Sequence, residues 1–203
     1  MAKVLIAYGS RYGSTEEIAH AIAEILERAG LETQLIDLRR TKQKQWPSIA
    51  PFDGVLVGSG IRIGRWTKEA IAFLKANAGE FKALKTKGLV VGAFVSSGMA
   101  STPGQEEEAR RKYLEAVFAK LGMTGAVDTY DAFGGVYDLS PTAPMGFLDK
   151  RMLGMAAKQM VKDTGTPLKE GARNDLRNWD QIRTFAEHFV QLVKEKIALR
   201  DAE

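Results

Sequence analysis

Three short runs in the chain, Val4 to Ala7, Gly54 to Gly58 and Leu89 to Val95, are almost continuously apolar and rich in valine. A strand with one wet face alternates apolar and polar residues, so unbroken runs of this length read as strands covered on both faces, as in a parallel sheet between two layers of helices. Thr33 to Leu38 and Ala126 to Ala132 bring the expected count to five strands. Helix-length segments separate these runs, and such βαβ alternation demands largely parallel pairing. With 203 residues against ~150 for a typical domain, residues 1–203 are expected to form one enlarged α/β domain.

The first helix is the best marked. Ile18, Ile22, Ile25, Leu26 and Ala29 recur at helical spacing, Ser14 and Glu17 stand as a capping box, and Gly30 is a stop. Arg39 to Gln45 is polar and is cut by Trp46-Pro47, which disfavours a second helix there. Later helices are expected over Thr67 to Asn77, over Glu106 to Leu121 closed by Gly122, and over Trp179 to Leu199. Between the last strand and the last helix, 136–178 is too long for an ordinary connection. Its middle, from Phe147 through Met152, Met155 and Met160 to Val161, is apolar at helical intervals and interleaved with Lys150, Arg151, Lys158 and Lys162. It reads as an inserted helical excursion.

Several chemistries are excluded at once. The chain has no cysteine, which removes disulfides, thiolate catalysis and iron-sulfur clusters. His20 and His188 belong to different helices at opposite ends and read as surface residues, so no metal site is expected. Five or so apolar residues before Gly9 are too few for a signal segment or a spanning helix, which makes the cytoplasm the expected address. The net charge of +4 suits an anionic ligand or surface; no nucleic-acid recognition motif accompanies it, and none is expected as a partner. Arg39, Arg40, Lys42 and Lys44 read as a solvated polar stretch, and Asp128 and Asp131 as strand-end residues without chemistry.

The first strand ends at Tyr8, and Gly9-Ser10-Arg11-Tyr12-Gly13-Ser14-Thr15 leads straight into the first helix. Such a junction offers unpaired amides and the positive helix end to an anion, with hydroxyls as further donors. It has neither the Gly-Lys-Ser/Thr of a nucleotide-hydrolysing loop nor three-glycine dinucleotide spacing. A plain βα turn with a capping serine is the alternative. Glycine and serine also crowd the ends of the later strands, in Gly58-Ser59-Gly60-Ile61-Arg62-Ile63-Gly64-Arg65-Trp66, in Val95-Ser96-Ser97-Gly98 and in Phe133-Gly134-Gly135-Val136-Tyr137. In an open α/β sheet ligands sit outside this carboxyl edge.

These loops together resemble the flavodoxin-like family, and within it most closely the flavodoxin-type menaquinone-dependent protoporphyrinogen oxidases, along nearly the whole chain. Val57 to Gly64, Phe133-Gly134-Gly135, the basic-apolar insertion and Asn178-Trp179-Asp180 fall in the same order as in that subfamily. The resemblance implies a five-stranded parallel sheet in order 2-1-3-4-5 with helices on both faces, and a bound FMN. Ser10, Arg11, Tyr12, Gly13, Ser14 and Thr15 would hold the FMN phosphate. Ser59, Gly60, Ile61, Arg62, Ile63 and Gly64 would line one side of the ring, and Val95, Ser96, Ser97 and Gly98 the other, with a peptide able to flip at Ser59-Gly60. No catalytic residue is implied, because the flavin itself accepts and passes electrons.

The implied function is an FMN oxidoreductase acting on a quinone and a porphyrin-type molecule; a flavodoxin-type electron carrier serving a redox partner is the alternative. The basic charge departs from the acidic character of carriers, and Val95 to Thr102 holds no aromatic, leaving Trp66 and Tyr137 as stacking candidates. Arg62 and Arg65 stand where a substrate carboxylate could be bound, or are solvated loop cations. Residues 145–162 would cover a substrate or rest on the inner face of the membrane; packing onto the domain or across a homodimer interface is the other reading.

Overall fold

In the computed structural model, which describes residues 1–202, five strands form one sheet: β1 (Lys3–Gly9), β2 (Glu32–Asp37), β3 (Gly54–Gly60), β4 (Val90–Ser96) and β5 (Thr129–Phe133). They lie in the order β2-β1-β3-β4-β5, and every neighbouring pair is parallel. The apolar runs are buried on both faces, as their composition demands. On one face Val4, Ile6, Leu56, Val90 and Phe94 pack under α1 (Ser14–Arg28) and α6 (Trp179–Asp201). On the other, Leu5, Ala7, Val55, Val57, Val91 and Val95 pack under α2 (Lys68–Lys85) and the helical stretch made of α3 (Glu106–Arg110) and α4 (Ala116–Lys120).

Four local expectations are corrected. The strand expected from Ala126 begins at Thr129, because Ala126 N–H closes a turn on the Met123 carbonyl at 2.9 Å. Asp128 is occupied there by Val91 N–H and Lys85, at 2.8 and 2.7 Å. α2 runs beyond Asn77 to Lys85 because Phe81 carries its buried stripe onward. The capping box of α1 does not form. Gly13 holds the N-cap in the left-handed conformation (φ 93°), Ser14 is already helical, and Glu17 is drawn off to two arginines. Between α3 and α4 the helix widens into a π segment, Arg111–Glu115. The Tyr113 carbonyl accepts the indole N–H of Trp66 there at 2.5 Å, the kind of intrusion that opens an α-ladder.

Residues 136–178 contain the expected helix, α5 (Phe147–Thr164), and an antiparallel ribbon that was not anticipated, β6 (Val136–Asp138) with β7 (Arg173–Asp175). Each strand has three residues, too few for periodicity to show. α5 rests on a small core of its own, where Tyr137, Ala157 and Met160 are buried and Leu139, Leu153, Leu168 and Leu176 pack around them. Its other side leaves Phe147, Leu148 and Met155 exposed, at 77%, 71% and 65%. Among the described residues no helix is long and apolar enough to cross a membrane, and no group of side chains is arranged to hold a metal ion.

Candidate functional site

The loop from Ser10 to Gly13 joins β1 to α1 at the carboxyl edge of the sheet. Its shape is set by three braces. The Ser10 hydroxyl accepts from Gly13 N–H at 3.1 Å, Arg39 Nη1 donates to the Ser10 carbonyl at 2.8 Å, and Arg177 Nη1 donates to the Ser14 carbonyl at 2.9 Å. The first-turn amides of α1 have no intrahelical acceptor by helix geometry, and they point, with the positive end of the helix, toward the space above the loop.

Arg177, 6% exposed, is the keystone of these braces. Its guanidinium binds Asp175 through Nε (2.8 Å) and Nη2 (2.6 Å), binds Glu17 through Nη2 (2.5 Å), and lies 4.4 Å from the Trp179 ring centroid. Burial pushes the carboxyls of Glu17 and Asp175 upward. The bonds from Arg177, joined at Glu17 by those from Arg173, outweigh that and hold both below the usual carboxylate range.

The second and third loops close the site from the other side. Gly60, Ile61, Arg62 and Ile63 run beside Ser96, Ser97 and Gly98, joined by Ile61 N–H donating to the Ser96 carbonyl at 2.8 Å, and both strips line a cavity of about 730 Å³ that also takes in Arg11, Tyr12, Ser14 and Thr15. Bare backbone is needed at two points. A Cβ on Gly60 would come within 3.0 Å of Thr15 Oγ1, and one on Gly98 within 2.5 Å of the Tyr137 hydroxyl. Of the expected site residues, Ser10, Gly13, Ser59, Gly64 and Val95 do not line the cavity: Ser10, Ser59 and Val95 are buried, Gly13 is half-buried in the loop, and Gly64 is exposed at the tip of its turn. Ser59 is fully buried, its hydroxyl accepting from Thr67 N–H at 3.0 Å, and Val95 belongs to the core.

Neither stacking candidate stands free. Trp66 is packed in the core and bonded to Tyr113, and Tyr137 is held in the small core beneath α5.

The remaining wall is α5. Met152, Leu153 and Ala156, with Met145 just before the helix, supply apolar surface, and Asp149 supplies a carboxylate that accepts from the Tyr12 hydroxyl and from Arg62 Nε (3.1 Å) and Nη2. The bonds from Tyr12 and then Arg62 hold the Asp149 carboxyl below its usual range. Six cations line the cavity (Arg11, Arg39, Arg62, Arg65, Lys68 and Arg173) against three acids (Glu69, Asp138 and Asp149), so the site favours anions.

Sequence reasoning missed Arg39, Asp149, Arg173 and Arg177. Arg39 is exposed, as expected of a solvated stretch, and in addition reaches the Ser10 carbonyl, while the other three are brought in by a segment whose path is not legible in the sequence. An FMN molecule, with a phosphate at one end and a flat ring with a polar edge at the other, fits the residues present: a loop with a cation and first-turn amides, then a cavity bounded by two adjacent strips of backbone and by α5.

The family described as a flavodoxin domain matches residues 5–166. An NAD(P)H dehydrogenase (quinone) of Nitrobacter winogradskyi is 30% identical over 165 residues, 72% of this chain and 81% of the relative. Protoporphyrinogen IX dehydrogenase [quinone] of Escherichia coli is 27% identical over 192 residues, 94% of this chain and 96% of the relative. Other curated relatives are matched over a smaller part of their length, such as an NAD(P)H dehydrogenase (quinone) of Rhodopseudomonas palustris, covered over 61%. Among solved structures, a flavodoxin, WrbA-like protein from Agrobacterium tumefaciens shares the fold with TM-score 0.52 and 18% identity, over 98% of this chain and 99% of that one.

Proposed function

Because the chain belongs to the flavodoxin domain family, we propose that it is an FMN-dependent oxidoreductase that delivers electrons to a quinone, with a porphyrinogen as the donor. The observation that carries this reading is the convergence of four strand-end loops on one cavity, among them the loop that leads into the N-terminus of α1. Bound FMN supplies the redox chemistry, accepting electrons from one molecule and returning them to another. The chain supplies placement. The α1 amides with Arg11 and Arg39 hold the phosphate, and Gly60 and Gly98 let two stretches of backbone lie against the ring edge. Met152 and Leu153 keep water from one side, while Arg62 and Arg65 offer forked donors to a carboxylate of the porphyrinogen. A relative matched over 94% of this chain is named for protoporphyrinogen, which supports that donor.

The exposed side of α5 supports a second element of the reading. Phe147, Leu148 and Met155 stand among exposed Arg151, Lys158 and Lys162, a pattern suited to resting on an anionic bilayer, where quinones dissolve. The protein would then work at the inner face of the membrane without crossing it.

The test is an absorbance titration of flavin-free protein with FMN. Menadione reduction is then assayed with protoporphyrinogen IX, NADH or NADPH as donor, with and without anionic vesicles. Stoichiometric FMN binding and turnover with protoporphyrinogen alone are expected. Turnover with only a nicotinamide donor would replace the porphyrinogen, FMN binding without any turnover would leave an electron carrier, and no FMN binding would refute the whole reading.

A further inference from the structure

Arg62 and Arg65 are the two ends of a tight turn, each donating its backbone N–H to the other's carbonyl at 2.9 and 3.1 Å. Ile63 and Gly64 between them both have positive φ, 50° and 69°. A β-branched residue avoids that region, and such strain persists where the surroundings impose it, commonly at ligand sites. The turn places both guanidinium groups at the cavity. Yet Arg62 is not free: its Nε and Nη2 both bind the Asp149 carboxylate, whose second oxygen accepts from Tyr12. One carboxylate from α5 thus occupies one edge of the arginine fork that projects into the ligand space, and ties the phosphate-side loop to the ring-side loop.

We infer that Arg62 selects for an acidic substituent on the molecule that binds beside the flavin, and that Asp149 is a built-in competitor for it. A carboxylate-bearing ligand takes Arg62 against the Asp149 charge, so the selectivity of the site is set by this internal ion pair and not by Arg62 alone. A neutral ligand offers Arg62 at most a carbonyl acceptor and no charge to pair, so it gains less from Arg62 and responds less to Asp149. This inference rests on the FMN reading of the site.

The test uses the FMN-loaded protein and two quinones of nearly equal size, neutral 2-methyl-1,4-naphthoquinone and anionic 1,4-naphthoquinone-2-carboxylate, with dissociation constants read from flavin fluorescence in the oxidised state. Asp149→Asn keeps an acceptor for Arg62 but removes the charge. It is expected to raise the preference for the carboxylate about five- to tenfold, the ratio that corresponds to about 1 to 1.4 kcal/mol. Arg62→Gln is expected to abolish the preference in both backgrounds, and thermal melts identify any variant that has not folded. An unchanged or lowered preference in Asp149→Asn overturns the inference, as does failure of both quinones to bind FMN-loaded protein, while the flavin reading survives either result. Failure of FMN itself to bind overturns both.

Discussion

Replacing Arg177 by glutamine removes a cation that is nearly inaccessible, its side chain 1% exposed, from between Glu17 and Asp175. Taking one partner from a buried ion pair costs ~3–5 kcal/mol. Here the loss is smaller, because the carboxylates keep 46% and 30% exposure and Arg173 still reaches Glu17 at 2.7 and 2.8 Å. The Ser14 carbonyl and the Trp179 ring also lose their partner. Together these give an expected destabilisation of about 2–3 kcal/mol at pH 7.

For a chain of this size each kcal/mol moves the melting temperature by ~2–4 °C, so Arg177→Gln should melt roughly 4–12 °C lower in a calorimetric or circular-dichroism scan. The pH dependence has a definite sign. Both carboxyls are held below their ordinary values in the folded state, so their contribution is complete above the unfolded values near 4 and is lost as pH falls through the lower folded ones. The gap between native and variant protein should be full above about pH 5 and close on acidification. A variant melting within 2 °C of the native protein at pH 7 (roughly the effect of 1 kcal/mol or less), or a gap that widens in acid, would refute the keystone role given to Arg177.

Three further outcomes follow from the geometry. Ile63→Asn places a residue tolerant of positive φ in the tight turn, and since Ile63 is 65% exposed little burial is lost; urea unfolding should show a gain of about 1 kcal/mol. Gly134→Ala drives a Cβ to 2.2 Å from the Leu176 carbonyl oxygen, a backbone atom that cannot step aside, and should cost about 1–3 kcal/mol in the same assay. Arg39→Gln loosens the Ser10 carbonyl and subtracts a charge from the phosphate end, so FMN affinity measured by absorbance titration should fall about tenfold, with the deficit shrinking as salt is raised.

The sheet was readable because its strands are buried on both faces: Val4 to Ala7 and Leu89 to Val95 have no polar residue to confuse the period. The three loops were readable for the related reason that small residues clustered just where those runs stop. What escaped was nonlocal. Nothing near Ser14 announces that its carbonyl will be held by Arg177, far along the chain. The α1 cap was misread because Ser14 and Glu17 satisfy a local motif while Arg173 and Arg177 make a better offer to Glu17. Ser59 and Val95 end β3 and β4 with buried side chains, because strand alternation sends both inward, which a run of small and apolar residues does not reveal.

The satellite core under α5 gives the cavity wall its own stability scale. Only two residues of this 18-residue helix, Ala157 and Met160, are buried, whereas β1 and β4 are sealed on both sides. Amides of α5 should therefore exchange with solvent through a local opening well below the free energy that protects the sheet. Any ligand that touches α5 and the loops together closes that opening by mass action, by RT ln(1 + [L]/Kd). Slowed exchange confined to residues 147–164 would then mark occupancy of the cavity without reference to turnover, and the helix would serve as the molecule's own gauge of whether its site is filled.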